Sequence, residues 1–309
     1  MTFSPKRYRD YATFLTRHFP FKVQKLAVDA GFTCPNRDGF KGRGGCIYCC
    51  NRAFNPRYCT PALSVALQLE SGKKFLAHKY PRMKYLAYFQ AFSNTYGPLD
   101  GLRRLWEEAL SVDDVAGIVV ATRPDCIDEA TLAGLKELSA VTFVMLEFGV
   151  ETIHEHTLQL INRCHSWKNS IDAINLTARY GIPCGVHLIL GLPGETVGDM
   201  EASVMAVAQL PVSTVKFHQL QVIKGTKLEH MYRGGNVELQ SWTPEQYAHV
   251  CAKMVAHLRP DVAIERFVSE SPGEMLVFPR WGMKPQEFNL MVEASLQQEN
   301  LHQGDLYST

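Results

Sequence analysis

The stretch that decides how this 309-residue sequence is interpreted is Cys34-Pro35-Asn36-Arg37-Asp38-Gly39, followed by Arg43-Gly44-Gly45-Cys46-Ile47-Tyr48-Cys49-Cys50. It spaces three cysteines as C-x11-C-x2-C in a loop rich in glycine, a residue that lets the backbone approach a bulky inorganic centre. The C-x2-C pair points two sulfurs at one metal centre, as in zinc and iron–sulfur sites. A third thiolate from Cys34 would leave one iron of a four-iron cluster without a protein ligand, and an open metal position can do chemistry.

The same cysteines are also compatible with a structural zinc site. A closed zinc site needs a fourth ligand. Cys50 adjoins Cys49 too closely to complete a tetrahedron with it, whereas Cys59 or His78 could serve. The choice between zinc and an iron–sulfur cluster therefore depends on the rest of the chain.

Composition predicts an ordinary globular protein in a reducing compartment. Apolar residues make up 46% of the chain, charged residues 20%, and the formal net charge is +1, so no overall field dictates a nucleic-acid or membrane partner. The nine cysteines are odd in number, which does not suit a disulfide framework. The first ten residues lack the apolar segment of a signal peptide, and no apolar run reaches the ~20 residues that cross a bilayer. We expect a soluble, cytoplasmic protein without a membrane partner.

Six apolar runs alternate with helical patterns, and each run is followed by a polar or glycine-rich segment. The predicted strands are 22–30, 83–89, 117–122, 142–148, 185–190 and 214–222. The pattern that predicts the first strand begins at residue 21. The predicted helices between them are 61–77, 99–110, 128–138, 170–180 and 197–210. Strand–loop–helix units form parallel sheets with right-handed crossovers, so six of them can curl into a partial (β/α)6 barrel with its site beyond the carboxyl ends of the strands.

The regular alternation of predicted strands and helices ends after about residue 224. We predict a helix over 243–258, a strand over 262–268 and a final helix over 285–298, together an α+β extension that closes or lids the barrel. The predicted organisation is an N-terminal segment (1–20), a barrel core (21–224) and a C-terminal extension (225–309).

With these motifs in place, the chain resembles the radical S-adenosylmethionine (SAM) enzymes over nearly its full length. The resemblance is to the branch that includes the Elongator catalytic subunit and the oxygen-independent coproporphyrinogen oxidases, and within it to the YhcC/YtqA family. It implies a radical SAM barrel in which Cys34, Cys46 and Cys49 hold a [4Fe-4S] cluster. The amino and carboxylate groups of SAM would bind the remaining iron. Tyr48 matches the aromatic residue that the superfamily places beside the adenine.

The resemblance also implies a set of SAM contacts at successive strand ends. The loop after the second strand, which contains Gln90, Asn94 and Thr95, stands where the superfamily has a glycine-rich segment supporting the methionine end of SAM, although those glycines are missing here. The run 147–151 and the run 162–165 resemble an E-x-G-V-Q-S … N-R-G-H pattern. That pattern contributes Glu147, Gly149, Glu151 and Arg163 to the candidate site.

The resemblance assigns roles to Glu151 and Arg163, and it adds His187 and Gly191 to the candidate SAM contacts. Glu151 would accept the ribose hydroxyl protons, and Arg163 would pair with the SAM carboxylate. His187 falls where relatives place a polar group near the ribose, and Gly191 follows the apolar stretch that would flank the adenine. Singly, Glu147 could cap a helix, Arg163 could form a surface ion pair and His187 could lie in the core. Their order at successive strand ends favours the functional interpretation.

The implied chemistry is reductive cleavage of SAM and hydrogen abstraction by a 5′-deoxyadenosyl radical, with an electron donor such as flavodoxin or ferredoxin. The implied substrate is a tRNA wobble uridine, which must be splayed out to expose its carbon. Basic–aromatic segments at 6–22, 52–58 and 79–85 are candidates for RNA contacts. Two alternatives stay open: a radical SAM enzyme for a small molecule or tetrapyrrole, which predicts an enclosed pocket without a basic rim, and a non-catalytic, zinc-stabilised binding protein.

Overall fold

Seven parallel strands form one curled sheet in the order β1-β2-β3-β4-β5-β6-β8. The structure is a computed structural model, and it describes residues 6–77 and 83–308. The strands of this sheet are β1 Val23–Val28, β2 Lys84–Phe89, β3 Val115–Thr122, β4 Phe143–Glu151, β5 Cys184–Leu190, β6 Thr214–Gln219 and β8 Ala263–Arg266. A separate antiparallel pair joins β7 Val222–Ile223 to β9 Leu276–Phe278. The predicted α/β partial barrel with a C-terminal extension is confirmed.

Alternation along the strands divides the sheet into two faces. In β2, Tyr85, Ala87 and Phe89 pack in the large cluster that the helices cover, whereas Leu86 and Tyr88 belong to a second, smaller cluster. Because strand side chains alternate in direction, the second set faces the interior of the curl. The interior therefore receives every second residue of each strand.

One helix precedes the first strand, and the others lie between or after the strands. Three of them, α6, α7 and α9, start with a reciprocal capping box, which satisfies backbone N–H groups at the helix start. The helices are α1 Tyr11–Leu15, α2 Val65–Ala77, α3 Leu99–Leu110, α4 Glu129–Ser139, α5 Glu155–Leu160, α6 Trp167–Arg179, α7 Val197–Ala208, α8 Lys227–Arg233, α9 Pro244–His257 and α10 Pro285–Gln298.

The C-terminal region contributes more to the sheet than the sequence predicted. Strand β8 pairs with β6 in parallel, so the sheet has a seventh strand beyond the predicted six. The predicted strand 214–222 is interrupted after Gln219, and its last residue, Val222, joins Ile223 in β7, which pairs with β9 instead. The short helices α1, α5 and α8 were not predicted, since five to seven residues carry too little periodicity to be recognised.

The N-terminal segment closes the far end of the barrel. Asp10 bridges Ile264 of β8, and Ile264 donates its N–H to the Arg9 carbonyl at 2.8 Å. Phe14 and Phe19 are buried in the interior cluster. The aromatic residues of this basic segment are thus largely core residues, which argues against a role for them in stacking on RNA. Most of the segment 79–85 lies outside the described residues.

Among the helices in the described ranges, none combines the length and the apolar character that crossing a membrane requires.

Candidate functional site

The carboxyl ends of the strands surround a cavity of about 200 Å³. Every strand of the seven-stranded sheet contributes, either through its last residues or through the loop that follows it. Because the strands are parallel, these ends all lie at one edge of the barrel, as expected for an α/β protein. The polar segments noted after each predicted strand therefore converge on one site.

Three cysteines line this cavity, namely Cys34, Cys46 and Cys49, and all three are free thiols. They come from the loop after β1. Gly45 in this loop has a φ of +76°, and a Cβ there would lie 2.8 Å from Arg37 Nε. A residue with a side chain would be strained at this backbone angle and would displace Arg37. The adjacent Cys50 does not line the cavity.

The segment that follows α5 holds the cysteine loop in place. Asn162 donates from Nδ2 to the Gly45 carbonyl at 2.8 Å, and Ile47 donates its N–H to the Ile161 carbonyl at 3.1 Å. From the other side, Leu228 of α8 donates its N–H to the Ile47 carbonyl at 2.8 Å. The cysteine positions thus depend on residues more than 100 positions away in the chain.

Arg163 connects the cysteine loop to the end of β4. Its Nη1 lies 3.5 Å from Cys46 Sγ, and its Nη2 donates to the Gly149 carbonyl and lies 3.3 Å from Glu151 Oε1. Burial by itself would lower the pKa of Arg163, but Cys46, Tyr48 and Glu151 around it raise the pKa well above the ordinary value. The guanidinium is therefore a permanent cation facing the cavity.

Gly149 and Glu151, near the end of β4, both line the cavity. They are two positions apart and so share one face of the strand, whereas Phe148 and Val150 pack in the cluster that the helices cover. The register to β5 shifts between Gly149 and Glu151. Glu151 has a φ of 70°, which is uncommon for a residue with a side chain. A Cβ at Gly149 would lie 2.5 Å from Arg163 Nη2 and 2.6 Å from Glu151 Oε1. Only glycine leaves room for this pair.

Glu147 does not line the cavity; it lies beneath it as the centre of a buried ion-pair network. Its side chain is only 1% exposed. The carboxylate accepts hydrogen bonds from Lys25, Tyr88 Oη (2.8 Å), Lys216 (2.8 Å) and His187 (2.9 Å). Burial alone would raise the pKa of Glu147, but Lys216, Lys25 and His187 hold it well below the ordinary value. Side chains of the barrel engage both Glu147 oxygens, and Glu147 does not line the cavity, so it is not placed to contact SAM as the resemblance implied.

His187 lines the cavity and forms part of its floor. Its Nε2 contacts Glu147, and burial together with Lys216 lowers its pKa. The imidazole is therefore neutral at pH 7. Its position agrees with the expected strand end.

Of the three residues predicted in the loop after β2, only one lines the cavity. Gln90 lines the cavity, but Asn94 and Thr95 do not. Asn94 Nδ2 donates to the Phe89 and Ala121 carbonyls, and Thr95 contacts Thr122 Oγ1 at 2.6 Å, so both residues brace the loop. Their neighbours Ser93 and Phe92 face the cavity instead.

Gly191 likewise lies off the cavity. It has a φ of +89°, and a Cβ there would lie 3.0 Å from the Trp242 ring, so it serves the turn after β5 and its packing. Tyr48, by contrast, lines the cavity as predicted.

Several cavity residues were not selected from the sequence. Arg123 follows β3, and its side chain is fixed by Asp125 (2.9 Å) and by the Arg163 carbonyl (2.8 Å). The far wall is formed by polar residues at the ends of β6 and β8, which are His218, Gln219, Gln221, Arg266 and Ser269. Ser269 directly follows the predicted strand 262–268, whereas the other four residues lie within the predicted strands 214–222 and 262–268, where polar side chains among apolar ones were the available signal.

The cavity residues fit a [4Fe-4S] cluster with SAM. Several buried side-chain atoms on the wall have no hydrogen-bond partner among the described residues, namely Tyr48 Oη, Ser93 Oγ, Arg123 Nη1 and Arg163 Nε. Buried polar atoms are normally satisfied, so these are positioned to contact polar groups of a bound molecule. SAM carries such groups in its amino, carboxylate and ribose parts.

A single metal ion fits less well. Within residues 6–77 and 83–308, no three His, Cys, Asp or Glu side chains gather around one point as a single ion requires. A cluster takes one thiolate at each of several irons, so its cysteines need not share one ion. Of the proposed fourth zinc ligands, Cys59 is buried in the interior cluster away from the cavity, and His78 lies outside the described residues.

Comparisons with known proteins agree with this geometry. Residues 34–207 match the family "Radical SAM superfamily", and residues 212–298 match "Radical SAM C-terminal domain". YtqA of Bacillus subtilis (strain 168) is 34% identical over 302 residues, covering 98% of this chain and 93% of YtqA. A tRNA uridine(34) acetyltransferase of Methanocaldococcus infernus is 26% identical over 179 residues, covering 55% of this chain and 33% of that protein.

Among solved structures, the Elp3 of Methanocaldococcus infernus with an N-terminal deletion superposes with a TM-score of 0.69 at 18% identity, covering 92% of this chain and 64% of that one. This likeness shows a shared fold. The YhcC/YtqA resemblance is confirmed by the identity to YtqA over nearly the whole chain. The chain therefore belongs to the Radical SAM superfamily, whose members use a [4Fe-4S] cluster and SAM, and within it to the family of YtqA.

Proposed function

We propose that this SAM-dependent enzyme modifies the side chain of a tRNA wobble uridine. Cys34, Cys46 and Cys49 hold the cluster, and Arg163 and Glu151 bind the methionine and ribose ends of SAM. Tyr48 lies beside the adenine. Support comes from the shared cavity of these residues and from the buried polar atoms on its wall.

When bound, the reduced cluster and SAM supply a one-electron route to hydrogen abstraction from an unreactive carbon. The protein's own residues orient the reactants and limit access of water. The Arg163 guanidinium is fixed at three points by Cys46, Gly149 and Glu151, so it is preorganised for a carboxylate. The neutral His187 forms part of the cavity floor, and the ion-paired Glu147 beneath it supports His187, so that neither presents a free charge. We further propose a cytoplasmic location and an electron donor such as flavodoxin or ferredoxin.

Replacing Gly149 with alanine is expected to weaken SAM binding about ten- to a hundredfold, the equivalent of losing one charged hydrogen bond. The added Cβ would displace Arg163 Nη2 and Glu151 Oε1. Isothermal titration of SAM into the anaerobically reconstituted protein measures the affinity. Gly101→Ala is the matched control, because no atom lies within 4 Å of a Cβ at that helical position. Equal SAM affinity in both variants would remove Arg163 and Glu151 from the SAM site.

The single observation that favours an RNA substrate is the basic rim of the cavity. We define the cavity rim as the exposed basic and aromatic residues of the segment 37–57, which are Arg37, Phe40, Lys41, Arg43, Arg52 and Arg57. Members of this segment line the cavity, namely Arg37, Gly45, Cys46, Tyr48, Cys49, Asn51, Phe54 and Asn55. Of the rim residues, Lys41 pairs with Asp125 at 2.9 Å. Residues 37–57 carry five basic side chains and one acidic one. Phe40 is 74% exposed and lies 6.2 Å from the Tyr96 ring, so aromatic surface stands beside positive charge. Phosphates bind basic side chains, and unpaired bases stack on exposed aromatics.

The chain's relatives support the same substrate class. The protein that is 26% identical over 179 residues, which cover 55% of this chain, is named a tRNA uridine(34) acetyltransferase. The small-molecule alternative predicts an enclosed pocket without a basic rim, and the exposed basic side chains of the segment 37–57 favour RNA over it. The zinc alternative is disfavoured by membership of the Radical SAM superfamily.

Nucleoside mass spectrometry of tRNA from a deletion strain tests the proposal. We expect one modified wobble uridine to disappear and its precursor to accumulate. The wild-type gene should restore the profile, whereas a gene encoding Cys46→Ala should not. An unchanged wobble-uridine profile in every isoacceptor would contradict the RNA substrate.

Binding measurements test the cavity rim separately. Arg52→Gln with Arg57→Gln is expected to weaken tRNA binding and to reduce the slope of log affinity against log salt by about one per lost phosphate contact. Arg103→Gln with Arg104→Gln on α3 is the control for charge, since these residues lie outside the cavity rim. An equal loss in both double variants would indicate nonspecific attraction rather than a binding surface.

A further inference from the structure

On the cavity wall, the arginines that follow β3 and β4 have carboxylate partners, whereas the arginine at the end of β8 has none among the described residues. Arg123 pairs with Asp125, and Arg163 with Glu151. Beneath the cavity, two lysines face two glutamates, which are Lys25, Lys216, Glu147 and Glu265. Among the described residues, no carboxylate lies within 4.0 Å of Arg266, although this side chain lines the cavity. Arg37 also lacks a carboxylate partner, but it is exposed at the cavity rim.

The contacts of Arg266 do not neutralise it. Its Nη2 lies 3.1 Å from Nδ1 and 3.4 Å from Nε2 of His218, and its Nε is buried without a partner among the described residues. Burial and the neighbouring Arg266 hold the pKa of His218 well below the ordinary value, so the imidazole is neutral. Arg266 is half-buried, and a guanidinium with a buried, unpartnered N–H beside a neutral ring is stabilised by an anion that approaches it.

The wall that carries Arg266 is held rigidly. Gln219 accepts the Ser269 N–H at 2.6 Å and donates to the Ser269 carbonyl at 3.1 Å. Gln221 donates to the same carbonyl at 3.0 Å, and Ser269 Oγ lies 2.7 Å from His218 Nδ1. The ends of β6 and β8 are thus linked by side-chain hydrogen bonds. The guanidinium is presented to the cavity from a preorganised surface, as in sites built for a ligand.

We propose that Arg266, supported by His218, is an anion-binding subsite for the molecule that is processed in this cavity. The planar guanidinium suits a carboxylate or a phosphate group, which share this mode of recognition. The subsite lies at the ends of β6 and β8, whereas the cysteines follow β1 and Arg163 follows β4. It rests on the proposed function only in taking this cavity as the place where the substrate binds.

Fluorine NMR of the reconstituted protein saturated with SAM tests the subsite with two probes. Trifluoroacetate represents a carboxylate and monofluorophosphate a phosphate. We expect saturable binding of at least one probe at one site per chain, and the probe that binds identifies the chemistry of the anion. Arg266→Gln should weaken this binding about ten- to a hundredfold. Arg104→Gln, an exposed arginine on α3, should leave it unchanged.

Several results would overturn the subsite. They are the absence of saturable binding to the wild-type protein, equal affinity in the Arg266→Gln variant, and binding that occurs only without SAM. The last result would mean that Arg266 serves the SAM carboxylate. The wild-type titration needs no variant, so a folding defect in Arg266→Gln cannot hide the answer. A positive titration with an unchanged tRNA nucleoside profile would retain the subsite and reject the RNA substrate.

Discussion

Replacing Cys46 with alanine is expected to abolish cluster assembly and SAM cleavage while the barrel stays folded. Cys46 is 8% exposed, lines the cavity and contacts Arg163 at 3.5 Å. Removal of one of three thiolates leaves too few ligands for a stable [4Fe-4S] cluster. After anaerobic reconstitution, iron content, the brown absorbance near ~400 nm and the formation of 5′-deoxyadenosine should all fall to background. The far-ultraviolet circular dichroism should not change.

Cys50→Ala is the matched control because it removes a thiol from the same loop, four positions along the chain from Cys46 and outside the cavity. It should retain the iron, the colour and the turnover. A Cys46→Ala protein that still assembles a full cluster would reject the assignment of ligands. A wild-type protein that assembles the cluster but never cleaves SAM under reductant would reject the catalytic proposal instead.

Replacing Glu147 with glutamine is expected to lower the free energy of unfolding by about 3–5 kcal/mol, the usual cost of removing one partner from a buried ion pair. The glutamine would leave Lys25 and Lys216 in the barrel interior facing only Glu265. Urea denaturation monitored by fluorescence measures the loss. This effect is independent of iron and SAM, so it can be measured on the apoprotein.

Glu137→Gln provides the comparison for this variant. Glu137 also forms an ion pair, with Arg103 at 2.6 Å, but its side chain is 65% exposed. Exposed pairs contribute at most about 1 kcal/mol. Similar losses in the two variants would show that the interior network does not stabilise the fold.

The stabilisation by Glu147 should also depend on pH. Because the pKa of Glu147 is lowered in the folded protein, its contribution is fully present above the ordinary value of 4.5 and is lost as the pH falls through the folded-state pKa. The wild-type protein should therefore lose stability in acid more steeply than Glu147→Gln. Parallel pH profiles would contradict an ionised Glu147.

Most of the barrel could be predicted from the sequence because its signals are local. The apolar runs 83–89 and 185–190 correspond to β2 and β5 within one residue, since buried parallel strands are nearly continuous in apolar residues. The region around β8 was harder. The run 262–268 was recognised as a strand, but nothing local indicated that it would pair with β6, about 50 residues earlier.

The sequence predicted correctly those site residues whose position follows from lying at the carboxyl end of a strand. Gln90, Gly149, Glu151, Arg163 and His187 line the cavity as the pattern indicated. Which residue of a loop faces inward was not predictable, so Ser93 occupies the wall while Asn94 and Thr95 brace the backbone. Arg266 was not selected from the sequence. Its distinguishing feature is that no carboxylate among the described residues lies near it, and a local sequence pattern does not reveal which side chains are near in space.

The sequence by itself determined the cysteine loop, because the spacing of three thiols and four glycines within 16 residues is a local property of the chain. Only the tertiary structure decided the role of Glu147. Its partners Lys25 and Lys216 lie 122 and 69 positions away, and they meet it because alternate residues of parallel strands share the interior of the curl. These long-range ion pairs make Glu147 part of the barrel's interior network, whereas the motif had implied that it contacts the cofactor.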